Sequence, residues 1–138
     1  MRILCNSISG RNLPEHARVM GETAETDFSP LKKGIIYPVY GMMFYATRID
    51  FLVCPKSAEP MWVPANIFDL IDDHIPSKWA CRITEKAEGY KELFKLFGII
   101  SICGYEKLTH SYSHYLGILE RNPDELCYFH SNIKNHAE

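Results

Sequence analysis

The sequence predicts an α+β protein in one domain, residues 1–138, strand-rich over 1–83 and mainly helical over 84–138. Three observations carry that expectation. β-Branched and aromatic residues alternate through 35–40 and again through 48–54, the period of two that a half-buried strand requires. Short apolar runs punctuated by Pro55, Pro60, Pro64 and Pro76 continue to Ile83, too short for helices and bounded by residues that end strands. Beyond Glu88 the spacing changes, with Tyr90, Leu93, Phe94 and Phe97 forming the single apolar stripe of a helix. A length of 138 residues suits one core. Hydrophobic residues at 46% against 23% charged exclude a disordered or coiled-coil chain.

The elements follow in order. Ile3, Leu4 and Cys5 make a first strand within 2–7, which Ser9-Gly10 turns. Residues 9–30 hold Gly10, Pro14, Gly21 and Pro30, with few large apolar groups beyond Leu13, Val19, Met20 and Phe28. This stretch reads as a long surface loop and a contact surface, since loops of that length are uncommon unless functional. Ile35, Tyr37 and Val39 face one side of the next strand and Ile36 and Tyr40 the other. A hairpin across Tyr45-Ala46-Thr47 leads to Ile49, Phe51 and Val53, which point to the core. A turn in 55–60 precedes the strand Met61-Trp62-Val63, Pro64 stops it, and 66–73 reads as one helical turn followed by a closing strand. An edge strand over 79–83 follows Pro76. Gly98 ends the first helix, 99–103 is a short strand, and Tyr112, Tyr115, Leu116 and Leu119 mark a second helix. Asn122 caps a third, with Pro123 at its first position and Asp124 and Glu125 against the positive helix end. Leu126, Phe129, His130 and Ile133 form its packed face, and it frays after about Asn135.

Lys and Arg total 15 against 17 for Asp and Glu, a formal net charge of -2. That balance supplies no positive field for a phosphate backbone and argues against general nucleic-acid binding. The opening residues turn polar after Cys5, and the longest apolar runs, 41–46 and 97–103, fall far below the roughly 20 residues of a membrane span. The expected location is the cytoplasm. Cys5, Cys54, Cys81, Cys103 and Cys127 are scattered with no Cys-x-x-Cys pair, so reduced, mostly buried thiols are expected.

Leu31-Lys32-Lys33-Gly34-Ile35-Ile36-Tyr37, then Phe51-Leu52-Val53, then Trp62-Val63-Pro64-Ala65-Asn66-Ile67-Phe68 resemble the order of signals in SH3-like barrels. The resemblance implies a small SH3-like β-barrel over 1–83, closed where a proline turn passes a strand from one sheet to the other, with a helical C-terminal extension over 84–138. Where SH3 domains that hold proline-rich peptides carry an aromatic and acidic strip, this chain has Asn6-Ser7-Ile8-Ser9-Gly10, which argues against that activity. A second resemblance spans nearly the whole chain. Its motifs are the strand in 2–7, Gly34-x-x-Tyr37-Pro38-Val39-Tyr40-Gly41, Pro60-x-Trp62-Val63-Pro64-Ala65-x-x-Phe68-x-x-x-Asp72, Ile75-Pro76-x-x-Trp79, His114-Tyr115 and Glu120-Arg121-Asn122-Pro123. These resemble a group of small bacterial proteins similar in size and setting to the immunity proteins of polymorphic toxin and contact-dependent growth inhibition systems. What this implies is a cytoplasmic immunity protein, not an enzyme, that binds and neutralises a cognate toxin domain without a cofactor, nucleic acid or membrane. The alternative is an SH3-like regulatory module that binds a protein other than a toxin.

For chemistry, His110 and His114 stand four residues apart and Cys127 and His130 three apart, a spacing compatible with zinc. The cysteines are not paired as such sites usually require, and histidine–tyrosine packing between helices is the preferred reading. Cys127 with His130 or His114 is the one nucleophile–base combination, and no glycine-rich oxyanion turn or orienting carboxylate accompanies it. Asp69, Asp72, Asp73 and His74 form an acidic cluster, read either as a solvated rim or as a face toward a basic partner. The residues expected to meet the partner are Asp69, Asp72, Asp73, Glu120, Asp124 and Glu125. Trp62, Trp79 and the tyrosines sit in apolar strand patterns and are expected inside.

Overall fold

The computed structural model describes residues 1–56 and 58–136. Strands β1 (Arg2–Cys5), β2 (Ile36–Pro38) and β6 (Phe68–Asp72) form a three-stranded sheet in the order β2-β1-β6. A five-stranded sheet is built from β3 (Gly41–Phe44), β4 (Ile49–Val53), β5 (Met61–Pro64), β7 (Ala80–Ile83) and β8 (Ser101–Gly104), in the order β5-β4-β3-β8-β7. Every pairing is antiparallel. Four α-helices follow β7: α1 (Lys91–Phe97), α2 (Glu106–His110), α3 (Tyr112–Leu119) and α4 (Pro123–Tyr128).

The expected SH3-like barrel is not what forms. The proline turns do pass the chain between sheets, from β2 to β3 after Pro38 and from β5 to β6 after Pro64. The two sheets stay separate, however, with β5 and β7 as the edges of the larger one. Residues 84–138 are mainly helical as expected, but residue 83 is not a boundary between two parts of the fold. Strand β8, from the part expected to be a helical extension, lies between β3 and β7 near the middle of the larger sheet. There β8 pairs on both of its edges, and its Ile102 is fully buried against the helical layer.

The five-stranded sheet is covered on both faces, and alternation along its strands feeds two cores. Met42, Val53 and Val63 point to one face and pack with Ile3, Cys5 and Tyr37 of the small sheet. Met43, Leu52 and Ile102 point to the other and meet Tyr90, Leu108, Tyr115 and Phe129 of the helical layer. Gly41 and Gly104 are cross-strand partners, and a Cβ on either would lie within 2.8 Å of the Leu108 side chain. Two glycines in register thus let α2 settle onto the sheet.

The long 9–30 segment is less of a free surface than its composition suggests. Leu13, Ala17 and Phe28 are buried in the first core, and a bridge joins Ser9 to Asp27. Arg48 ties it down. Its guanidinium, buried, donates to both carboxylate oxygens of Asp50 at 2.6 and 3.2 Å, to Glu22 at 2.7 Å and to the Ala17 carbonyl at 3.1 Å. The cysteine expectation is corrected too. Cys81 and Cys103, directly opposite on β7 and β8, form a disulfide, while Cys5, Cys54 and Cys127 are free.

The hairpin at 45–47, the helical turn before β6, the Gly98 stop and the Asn122 cap appear where expected. Asn122 Oδ1 accepts from the N–H groups of Asp124 and Glu125 at 3.0 and 3.3 Å. The end of the expected fraying, at 137 and 138, and position 57 of the 55–60 turn lie outside the described residues.

Candidate functional site

The six acidic residues divide between two layers. Asp69 and Asp72 lie on β6, an edge of the small sheet, and Asp73 follows it. Glu120, Asp124 and Glu125 lie around the α3–α4 turn, in the layer on the opposite face of the large sheet. They do not form one patch.

The β6 group is open to solvent. Asp69 accepts from Asn6 Nδ2 at 3.1 Å. Asp72 accepts the His74 backbone N–H at 3.0 Å and lies 3.9 Å from Arg2 Nε. That N–H, helped by the positive charge of Arg2, holds the Asp72 carboxyl below its ordinary range. Between these acids Leu70 and Ile71 are 56% and 49% exposed, which an ordinary rim does not require. Register accounts for Ile71, whereas Leu70 shares the side of buried Ile3 and is exposed because β6 is the edge of its sheet. Ile3 pairs with Leu70 and Arg2 with Asp72, so Ile71 has no partner and the strand bulges. Ile36, across β1 on β2, is also exposed. The small sheet therefore presents exposed apolar and acidic side chains along β6, whose outer edge has no strand partner among the described residues.

The helical group is different. His114, fully buried, holds α2, α3 and α4 together. Its Nδ1–H donates to Glu125 Oε1 at 2.9 Å, and its Nε2 accepts from the Tyr105 hydroxyl at 2.7 Å. Burial pulls the His114 pKa down, outweighing the nearby carboxylate, and the ring is neutral. Glu125 is held below its ordinary range by the hydrogen bond from His114, with Lys107 Nζ at 3.6 Å. Gly117 makes this possible: a Cβ there would lie 2.4 Å from Glu125 Cγ, so only glycine lets α4 come this close to α3. Glu125 is thus a packing residue, whereas Glu120 and Asp124 are exposed.

The zinc spacing does not become a site. His114 is bound as described, His110 Nδ1 lies 2.9 Å from Thr109 Oγ1, His130 Nε2 is bonded to Glu59 at 3.0 Å, and Cys127 is exposed. Among the described residues no three of His, Cys, Asp and Glu gather as metal ligands. His130 is engaged by a carboxylate of the 55–60 turn and not by the Cys127 thiol. Trp62 and Trp79 are half-buried, and Tyr37, Tyr40, Tyr45, Tyr90, Tyr105 and Tyr115 are buried.

Sequence reasoning passed over Leu70 and Ile71. The signal was present: Asp69-Leu70-Ile71-Asp72-Asp73 places two adjacent apolar residues between acids, and alternation allows only one of them to face a core. No helix among the described residues is long and apolar enough to cross a membrane. The chain matches no family model, no curated protein and no solved structure.

Proposed function

We propose that this chain is an immunity protein that binds a cognate bacterial toxin domain and neutralises it by covering a functional surface. The observation that carries the binding half of this reading is the β6 edge, where Leu70 and Ile71 stand in solvent among Asp69, Asp72 and Asp73. Exposed apolar groups framed by charge are what a protein interface needs: the apolar pair supplies burial, and the acids set association rate and exclude wrong partners. The free outer edge of β6 also offers main-chain groups to an incoming segment. A toxin with a basic, apolar-studded cleft is the partner of complementary chemistry. That the partner is a toxin rests on the sequence motifs resembling those of small bacterial immunity-type proteins.

The test is co-expression with the toxin candidate encoded beside the chain. The expected result is survival of the cells and a co-purifying complex, both lost with Leu70→Asp combined with Ile71→Asp. Cell death with nothing co-eluting contradicts the reading. A complex that forms without protecting the cells points to a binding module with another purpose.

A further inference from the structure

A cavity of about 570 Å³ opens between the small sheet, the segments just before β3 and β7 and just after β8, and the residues after α4. That volume suits a small-molecule site, and the lining is graded in chemistry. Tyr40 and Tyr105, both buried, form the inner part, with Trp79 and Ile133 half-buried beside them. The mouth carries Arg2, His74 and Lys78, all exposed, and Asp72.

Two permanently charged cations face one carboxylate there, in a chain whose net charge is -2. Nor does Asp72 consume the arginine. One of its oxygens accepts the His74 N–H, and the other is 3.9 Å from Arg2 Nε, too far for a hydrogen bond. The wall is also preformed. Residues 76–79 make a turn closed by the Trp79 N–H donating to the Pro76 carbonyl at 3.1 Å. On one side the chain runs back to β6, paired with β1, and on the other to β7, joined to β8 by the Cys81–Cys103 disulfide. A wall anchored at both ends loses little freedom when a ligand enters.

We propose that this cavity binds a small organic anion with a flat aromatic body. The ring lies among Trp79, Tyr40 and Tyr105, and the carboxylate or phosphate meets the guanidinium of Arg2 and the ammonium of Lys78 at the mouth. The site shares Asp72 with the β6 edge, but its ligand and its test are independent of the toxin reading.

Calorimetric titration of the full chain at low salt tests it. Phenylacetate and phenyl phosphate represent the two anion chemistries, while benzyl alcohol and inorganic phosphate each supply only half of the proposed ligand. At least one aromatic anion is expected to bind about tenfold tighter than either half-ligand, and the one preferred identifies the head group. Arg2→Gln with Lys78→Gln is expected to weaken that binding about tenfold at an unchanged melting temperature, since both side chains are exposed. Aromatic anions that bind no better than benzyl alcohol or inorganic phosphate overturn the proposal. So does an affinity that the double variant leaves unaltered.

Discussion

The two layers that cover the five-stranded sheet treat charge in opposite ways. In the helical layer the acid that approaches the core, Glu125, is bound to His114, which is bound in turn to Tyr105. The small-sheet layer leaves Asp69 and Asp73 in solvent beside two exposed apolar side chains. Two buried polar networks differ too, one tying the β3–β4 hairpin of the large sheet to the 9–30 segment and the other joining the helices. Arg48 is ion-paired with Asp50 and Glu22 and holds the 9–30 segment, whereas the network joining α2, α3 and α4 is centred on a neutral imidazole. The lesson is that acidic residues of similar appearance in the sequence have separate roles, some maintaining shape and others available to a partner.

The largest expected effect comes from the Arg48 ion-pair network. Asp50→Ala leaves a buried guanidinium with only Glu22 and one carbonyl, and should cost about 3–5 kcal/mol in urea unfolding. A loss below about 1 kcal/mol would mean that the Arg48 network does not hold the segment. Next is Glu125→Gln, which weakens the hydrogen bond to His114 Nδ1–H, with an expected loss of about 1–3 kcal/mol. Gly117→Ala should fall in the same range of about 1–3 kcal/mol, because its Cβ displaces Glu125.

The networks should also separate by pH. His114 has a folded pKa below its ordinary 6.5, so the unfolded chain binds the proton more readily. Its contribution is complete above that value and is lost as the pH falls through it toward the folded pKa. Glu125, also lowered, adds a further loss at lower pH, below its unfolded value of about 4.3. Urea midpoints between pH 7.5 and 5.5 should therefore decline in the native chain and flatten in His114→Gln. The smallest stability effect belongs to the β6 edge. Asp69→Asn and Leu70→Ser should shift stability by no more than about 0.5 kcal/mol while weakening partner binding.

What the sequence revealed was local. The Asn122-Pro123-Asp124-Glu125 start, the Gly98 stop and the helix over 112–119 are set within a few residues, where capping and periodicity act, although the expected stripe holds at Tyr115 and leaves Leu119 exposed. What it concealed was long-range. Residues 101–104 read correctly as a strand, but their insertion between β3 and β7 depends on partners some 20 and 60 positions earlier in the chain. That insertion also places Cys103 opposite Cys81, a pairing invisible to spacing arguments. Similarly, β6 was expected and its bulge was not, because the skipped residue Ile71 is a property of the pairing with β1. The acidic residues were therefore identifiable by type while their roles were not.

Hydrogen–deuterium exchange of the chain, alone and bound to the proposed toxin partner, tests the central claim most directly. The account predicts new protection along 68–73 and the neighbouring β1–β2 surface, with α3 and α4 unchanged. Protection confined to 112–128, with β6 exchanging as freely as before, would contradict it.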